Sequence, residues 1–140
     1  MIDKFEGEFE FLSNFAPSTF TFEGITYPTN EHFFQAMKTN DLGMRKAIAA
    51  AKTPGAAKRM GRQVQLRPDW ERVKVDIMRT GLRCKFEHPI LAQKLINTGN
   101  ELLVEGNWWG DRFWGQCDGT GRNMLGQLLM ELREELKVNE

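Results

Sequence analysis

The chain has 140 residues, 41% hydrophobic and 11% aromatic, which excludes a disordered protein and fits one globular domain. No apolar run approaches the roughly 18 residues of a membrane span, and the N-terminus lacks a basic-then-apolar signal, so no membrane partner is expected. Cys84 and Cys117 form no metal-type spacing with His32 or His88. We therefore predict no metal site and a cytoplasmic protein with reduced thiols.

The formal net charge is zero, but the charges are unevenly distributed. Residues 44–85 carry twelve basic and three acidic side chains, whereas the segments on either side are acidic. This basic segment indicates either solvated helix faces or a basic wall for phosphate, with Arg59 and Arg62 beside Gly61. A general nucleic-acid surface is disfavoured, because the basic residues are not interleaved with aromatic ones.

The predicted elements follow from the hydrophobic pattern and the turn residues. Aromatic positions alternating with polar ones in residues 5–27 predict two or three short strands, with a hairpin at Glu23-Gly24. Helices are predicted at about 29–40, 43–52, 54–60, 69–86, 89–98 and 122–137, a strand at 101–105 and a loop at 106–121. The expected fold is α+β: a single compact, mostly helical domain over residues 1–140, with a small β-sheet from the two ends of the chain.

The segment from Pro28 to Lys38 predicts a helix with an unusual polar face. Pro28 blocks continuation from upstream, and Thr29 or Asn30 can cap the first turn. Helical spacing places Phe33, Ala36 and Met37 on a core-facing side, and Glu31, Gln35 and Lys38 together on the opposite side. This polar row could line a pocket or simply face water. His32, between the two faces, is expected to be a hydrogen-bonded, half-buried imidazole rather than a catalytic one.

The loop at 106–115 contains three tryptophans, Trp108, Trp109 and Trp114, together with Asp111. Aromatic rings beside a carboxylate suit a flat heterocycle, because a base can stack while the acid acts on its attached sugar. The alternative is that Trp109 and Trp114 fill the core. The Asp111 carboxylate either forms an ion pair with Arg112 or has a catalytic function.

Two further polar segments have open interpretations. The glycine-rich turn Asp118–Asn123 leads into a helix N-terminus, which favours an anion, although Thr120 as an ordinary cap explains it equally well. Asn14, in a run between Phe11 and Phe15, indicates either a turn or a ligand-facing side chain.

Five ordered blocks of sequence resemble the NADAR family of YbiA-like proteins. They are FLSNF (11–15), PTNEHFFQAMK (28–38), KRMGR (58–62), DWERVKVDIMRTGLRCKF (69–86) and DRFWGQCDGTGRNMLGQLLMELR (111–133). The resemblance implies a compact α+β N-glycosidase that needs no cofactor. Its substrate would be a ribosylated intermediate of riboflavin biosynthesis, cleaved between ribose C1′ and nitrogen, or ADP-ribosylated guanine.

The resemblance also implies site residues. Glu31, Asp111 and Lys38 match catalytic positions, and Asn14, Arg62, Trp70, Trp114 and Asn123 match positions expected to hold the substrate. The residue pattern adds Gln35 and Trp108 to the substrate-binding set. Lys38 could donate to the leaving group or a phosphate, or attack the opened sugar to form a Schiff base.

Two competing interpretations remain at this point. One is a non-catalytic module that binds ADP-ribose or a related nucleotide through the same groups. The other is a helical scaffold whose tryptophan loop binds a protein. Zero net charge favours a small phosphorylated ribosyl-heterocycle over ADP-ribosylated nucleic acid as the partner, because nucleic-acid affinity depends on clustered phosphate contacts.

Overall fold

The computed structural model describes residues 1–139, which contain six α-helices and two small β-sheets. The predicted α+β, mostly helical fold is confirmed. The chain divides into two compact units: the central unit, Asn14–Lys85, and the terminal unit, which combines Met1–Ser13 with the chain from Phe86 onward. The single-domain expectation stays a prediction. No helix within the described residues is long and apolar enough to cross a membrane.

The central unit begins with a β-hairpin, as predicted, and continues as four helices. Strands β1 (Phe20–Phe22) and β2 (Ile25–Tyr27) pair antiparallel. Glu23 and Gly24 join them with φ angles of 49° and 80°, the pair of positive values that a tight hairpin turn requires. The helices are α1 (Asn30–Ala36), α2 (Leu42–Ala49), α3 (Pro54–Gly61) and α4 (Trp70–Lys85).

Side-chain caps explain where the first three helices begin. The Thr29 hydroxyl accepts from the His32 amide at 3.1 Å, and the Asp41 carboxylate accepts from the Met44 amide at 2.9 Å. Thr53 repeats the arrangement at the start of α3. Each cap satisfies an amide that has no partner inside its own helix.

Helix α1 is buried on every side. The Phe33 ring meets Phe20, Phe22 and Tyr27 at centroid distances of 5.2–5.4 Å, which forms an aromatic core under the hairpin. All residues from Asn30 to Ala36 are buried, including Glu31 and Gln35 of the polar row, whereas Lys38 beyond the helix is half-buried. Glu31 and Gln35 therefore lie inside the protein rather than facing water.

The terminal unit has less regular structure around two helices. A 3-10 helix (Gly7–Leu12) precedes α5 (Pro89–Asn97), and α6 (Met124–Val138) closes the chain. Strands β3 (Gly106–Asn107) and β4 (Gln116–Cys117) pair parallel. The buried side of α6 includes Leu125, Leu128, Leu129 and Leu132, which recur at helical spacing.

Two strand predictions in this unit are wrong. Residues 7–12 form a 3-10 helix, because Gly7 starts with a φ of 59° and the carbonyls of Glu6 and Glu10 accept from amides three residues on. Residues 101–105 form only an isolated bridge between Leu103 and Ile2. Each sheet also lies within its own unit, so the two ends of the chain do not build one common sheet.

Candidate functional site

Glu31 and Gln35 form a buried hydrogen-bonded pair one turn apart on α1. The Gln35 Nε2 donates to Glu31 Oε2 at 2.7 Å, and the two side chains are only 7% and 4% exposed. The Glu31 amide donates to the Asn14 carbonyl at 3.0 Å, which ties the first turn of the helix to the segment before the hairpin. A carboxylate is thus held in a fixed position inside the central unit.

Lys38 follows on the same side, just beyond the end of α1. Its Nζ lies 5.9 Å from the centroid of the Phe34 ring, and Phe34 packs on Trp70 at 5.1 Å. Trp70 is buried, so it supports the ring beneath the lysine. Arg67 holds the backbone here, because its amide donates to the Lys38 carbonyl at 2.8 Å and its guanidinium pairs with Asp69.

Charge and burial together act on the Lys38 amine. Partial burial lowers the pKa of Lys38, Glu31 raises it in part, and the positive charges of Arg62 and Lys58 lower it further. A lowered pKa increases the fraction of neutral amine at a given pH. This is the form of a lysine that can act as a nucleophile.

Helix α3 and the residue that caps its C-terminus contribute the basic side chains of this group. Arg62 is exposed, and the Lys58 Nζ lies 6.0 Å from the centroid of the Phe15 ring. The sequence pattern did not single out Lys58, which belongs to the KRMGR block. The four-residue spacing of Lys58 and Arg62, which places both on one side of a helix, is the signal that could have found it.

Asn14 and His32 use their polar atoms within the central unit. The Asn14 carboxamide accepts from Asn30 at 2.8 Å and lies 3.5 Å from the Met78 sulfur. His32 contacts Thr29 at 2.8 Å and the Ala51 carbonyl at 3.0 Å. Because a carbonyl only accepts, the His32 Nε2 carries the proton. The imidazole is hydrogen-bonded as expected, but it is fully buried rather than half-buried.

Asp111 organises its own loop in the terminal unit. Its Oδ1 accepts from the amides of Phe113 at 3.1 Å and Trp114 at 2.9 Å. Asn107 bonds the Asp111 backbone in both directions, at 2.9 and 3.0 Å. The Trp114 ring packs edge-on against Phe113 at 4.8 Å.

Trp108 and Trp109 lie at the surface of the terminal unit. They are 84% and 51% exposed and contact each other edge to face at 5.6 Å. Both line an open cleft of about 360 Å³, together with Asn107, Gln116 and Asp118. The alternative in which Trp109 fills the core is therefore wrong.

The Asn123 side chain joins two backbone positions just before α6. It adopts a φ of 53°, its Nδ2 donates to the Leu103 carbonyl at 2.9 Å, and its Oδ1 accepts from the Glu105 amide at 2.9 Å. Both ends of the carboxamide thus hold backbone within the terminal unit. The expected contact of Asn123 with substrate stays a prediction.

The predicted site residues fall into one group per unit. The central unit holds Asn14, Glu31, Gln35, Lys38, Arg62 and Trp70, and the terminal unit holds Trp108, Asp111, Trp114 and Asn123. Lys58, which the sequence did not single out, lies in the central unit on α3. Across residues 1–139, no group of three or more His, Cys, Asp or Glu side chains is arranged to hold a metal ion.

Comparison with known proteins identifies similar chains along nearly the whole length. The model of the NADAR domain family matches residues 3–137. The N-glycosidase YbiA of Escherichia coli strain K12 is 45% identical over 133 residues, which cover 92% of this chain and 82% of the relative. A riboflavin biosynthesis protein of Vibrio vulnificus is 40% identical over 131 residues, covering 91% of this chain and 35% of the relative.

A solved structure gives the same result for the fold. The NMR structure of E. coli YbiA matches with a TM-score of 0.86 at 42% identity, covering 99% of this chain and 88% of that one. The family match, the identity and the shared fold agree, and the chain belongs to the NADAR domain family.

Proposed function

We propose that this protein, an N-glycosidase, hydrolyses the bond between ribose C1′ and nitrogen in phosphorylated ribosyl intermediates of riboflavin biosynthesis. The observation that carries the proposal is the buried Glu31 carboxylate, held by Gln35 and followed by Lys38 just beyond the end of the same helix. The names of the relatives, N-glycosidase and riboflavin biosynthesis protein, support the reaction and the substrate class.

Glu31 is the principal catalytic carboxylate of the proposal. As the C1′–nitrogen bond breaks, its electron pair leaves with the nitrogen and positive charge develops on the sugar ring. A fixed carboxylate stabilises that charge and can orient the water that attacks C1′. Water supplies the hydroxyl to C1′, and the departing nitrogen takes up a proton.

The basic side chains of the central unit suit the phosphate of such a substrate. This unit carries thirteen basic and six acidic side chains, a formal net charge of +7. Lys58 and Arg62 contribute to the positive field around Lys38. We assign the substrate phosphate to these two side chains, since clustered lysine and arginine bind phosphate and attract anionic ligands.

A nucleotide-binding module, a protein-binding scaffold and a second substrate were also compatible with the sequence. A module that only binds ADP-ribose has less need of a buried carboxylate next to an amine whose pKa is lowered. ADP-ribosylated guanine remains the second substrate to assay. The protein should be incubated side by side with a ribosylaminopyrimidine phosphate and with ADP-ribosylated guanosine. We expect release of ribose phosphate from the first to be faster than release of ADP-ribose from the second.

Glu31→Gln tests the central assignment. The amide keeps the size of the side chain but removes its charge, so we expect turnover to fall at least about a hundredfold, as when a transition-state partner is lost. Ribose phosphate release measures turnover, and circular dichroism checks the fold. Glu8→Gln, at an exposed position, is the control and should keep wild-type turnover. Near-normal turnover of a folded Glu31→Gln protein would refute the assignment.

Borohydride trapping distinguishes Schiff-base formation by Lys38 from proton donation or phosphate binding by the same side chain. An amine that attacks the opened sugar forms an imine, which borohydride reduces to a stable adduct detectable by mass spectrometry. Because the pKa of Lys38 is lowered, we expect adduct formation at neutral pH and an increase as pH rises towards that pKa. Lys38→Ala should lose the adduct, and Lys52→Ala, at an exposed position, should keep it. No adduct on wild type would assign Lys38 to proton donation or phosphate binding.

A further inference from the structure

The Gln35 carboxamide lies between Glu31 and helix α3. Its nitrogen donates to Glu31, as described, while its Oε1 is buried and accepts no hydrogen bond among the described residues. That oxygen faces Gly61, the last residue of α3: a Cβ built on Gly61 would overlap Oε1 and approach the Gln35 Cδ to 2.7 Å. Gln35 therefore fits only because position 61 has no side chain.

The orientation of this carboxamide depends on the charge of Glu31. If the group were turned over, its oxygen would face a carboxylate oxygen, and two acceptors would repel each other. Leaving Oε1 without a partner is unfavourable by itself, because a buried acceptor loses its hydrogen bonds to water. The charge-assisted bond to Glu31 offsets that loss and orients the side chain.

Glycine at position 61 is unfavourable for the stability of helix α3 when the helix is considered alone. A glycine in a helix costs about 1 kcal/mol relative to alanine, so the end of α3 would be more stable with alanine. The contact with Gln35 supplies the reason for glycine. The displaced group would be the end of a flexible side chain rather than backbone, so the main cost of an added methyl group falls on Gln35 and not on the fold.

We propose that Gln35 and Gly61 are positioning residues for Glu31: Gly61 leaves the space in which Gln35 lies, and Gln35 holds the carboxylate in its reactive orientation and ionised form. The catalytic importance of that carboxylate rests on the function proposed above. Gln35 is thereby reassigned from substrate contact to support of the catalytic group, since its nitrogen is bound to Glu31 and its oxygen faces α3.

Three single variants test the arrangement through kinetics. Gln35→Met keeps the length of the side chain without the donor, and Gly61→Ala displaces the carboxamide. For both we expect kcat to fall about tenfold or more, from the lost bond to a charged group, with KM within about twofold. Gly55→Ala is the control on the same helix, because its Cβ would have no neighbour nearer than 3.8 Å. It should keep kcat. A rise in KM with unchanged kcat in Gln35→Met would make Gln35 a substrate contact and overturn the proposal.

A double variant tests whether the two residues act through each other. With Gln35→Ala the carboxamide is already absent, so adding Gly61→Ala no longer displaces it and meets only the Cβ of residue 35, at 3.0 Å. We expect Gly61→Ala to lower kcat by less than about twofold in this background, against tenfold or more in wild type. Equal losses in both backgrounds would show that Gly61 acts independently of Gln35, and would overturn the proposal.

A measurement that needs no substrate tests the positioning function of Gln35 and Gly61 separately from the proposed catalytic function of Glu31. The titration of the Glu31 side-chain carboxyl carbon, followed by NMR, should move to higher pH in Gln35→Met and Gly61→Ala but not in Gly55→Ala, because an N–H donor favours the ionised form. Lys38, Lys58 and Arg62 keep their charge in every variant, and Gln35→Met leaves α3 unsubstituted, so a shift in Gln35→Met is assigned to the lost donor. An unmoved titration would overturn the positioning function. A moved titration in an enzyme that tolerates Glu31→Gln would confirm it and refute the catalytic assignment instead.

Discussion

Asp111 has a structural function that is separable from any catalytic one. One carboxylate oxygen, Oδ1, accepts both loop amides, at 2.9 and 3.1 Å. An uncharged carboxamide offers the same kind of oxygen at the same place, whereas alanine offers none. The two substitutions therefore distinguish the hydrogen bonds that shape the loop from the negative charge.

We expect Asp111→Asn to keep the loop and the stability of the protein but to lose activity at least tenfold, as the family resemblance implies for a catalytic acid. Asp111→Ala should lose activity and also about 1–2 kcal/mol of unfolding free energy, since two loop amides lose their acceptor. Urea unfolding and ribose phosphate release measure the two effects. Full activity of Asp111→Asn would leave Asp111 with the structural function alone.

Lys85 makes the stability of the protein depend on pH. Its side chain is 2% exposed, and burial lowers its pKa from 10.5 to about 7. Between these values the unfolded chain binds more protons than the folded one, so this group makes stability rise as pH increases. Below about pH 7 both states are protonated and the slope disappears.

Comparison with Lys85→Met isolates this effect. The unfolding free energy of wild type, relative to that of Lys85→Met, should increase by a few kcal/mol between pH 7 and 10. Any difference in packing between the two side chains changes the offset between the two curves but not this slope. Urea unfolding at a series of pH values gives the curves, and Lys52→Met, at an exposed lysine, should run parallel to wild type. Parallel curves for Lys85→Met would contradict a lowered pKa.

At the scale of whole elements, α6 approaches the backbone closely at one glycine. A Cβ on Gly126 would overlap the Leu103 carbonyl oxygen, a backbone atom that also accepts from Asn123. We expect Gly126→Ala to lower the unfolding free energy by about 1–3 kcal/mol, because overpacking against backbone exceeds the roughly 1 kcal/mol gained in helix propensity. Urea unfolding measures the change. Gly55→Ala, with room for a methyl group, should not destabilise the protein, and a neutral Gly126→Ala would show that α6 can shift.

The helices were predictable because their start and stop signals are local. Thr29 and Thr53 cap α1 and α3 next to Pro28 and Pro54, within one or two residues of the predicted starts. The β1–β2 hairpin was predictable for the same reason, but a strand near residues 7–12 was not, because aromatic alternation there is equally compatible with the three-residue spacing of the 3-10 helix at Gly7–Leu12. Strand pairing depends on distant segments, and no local pattern records that Ile2 lies beside Leu103.

In the candidate site, too, local sequence patterns predicted some features, whereas contacts between distant residues determined others. Helical spacing correctly placed Glu31 and Gln35 one turn apart on the same side of a helix, whereas Lys38 lies just beyond its end. It could not show that this side is buried, since burial of α1 depends on the hairpin and on α3. The partners of Gln35 were equally inaccessible, because its contact with Gly61 joins residues 26 positions apart, and nothing in either local pattern indicates it.

At the scale of the whole molecule, the order of the segments along the chain makes formation of the terminal unit depend on formation of the central unit. The terminal unit needs Met1–Ser13 together with the chain beyond Lys85, so the 72 residues of the central unit form a loop within it. Closing an unstructured loop of that length costs roughly 4 kcal/mol in chain entropy alone. A folded central unit fixes the separation of its own ends, Asn14 and Lys85, and removes most of that cost.

We therefore expect the chain to unfold as one cooperative domain, with equal calorimetric and van't Hoff enthalpies. Hydrogen exchange supplies the sharper measurement. The slowest amides of α1, in the central unit, and of α6, in the terminal unit, should exchange with the same free energy of opening. Gly126→Ala, although it lies in α6, should lower both values equally. A drop confined to α6, or two calorimetric transitions, would show that the units unfold independently and that the chain is not one domain.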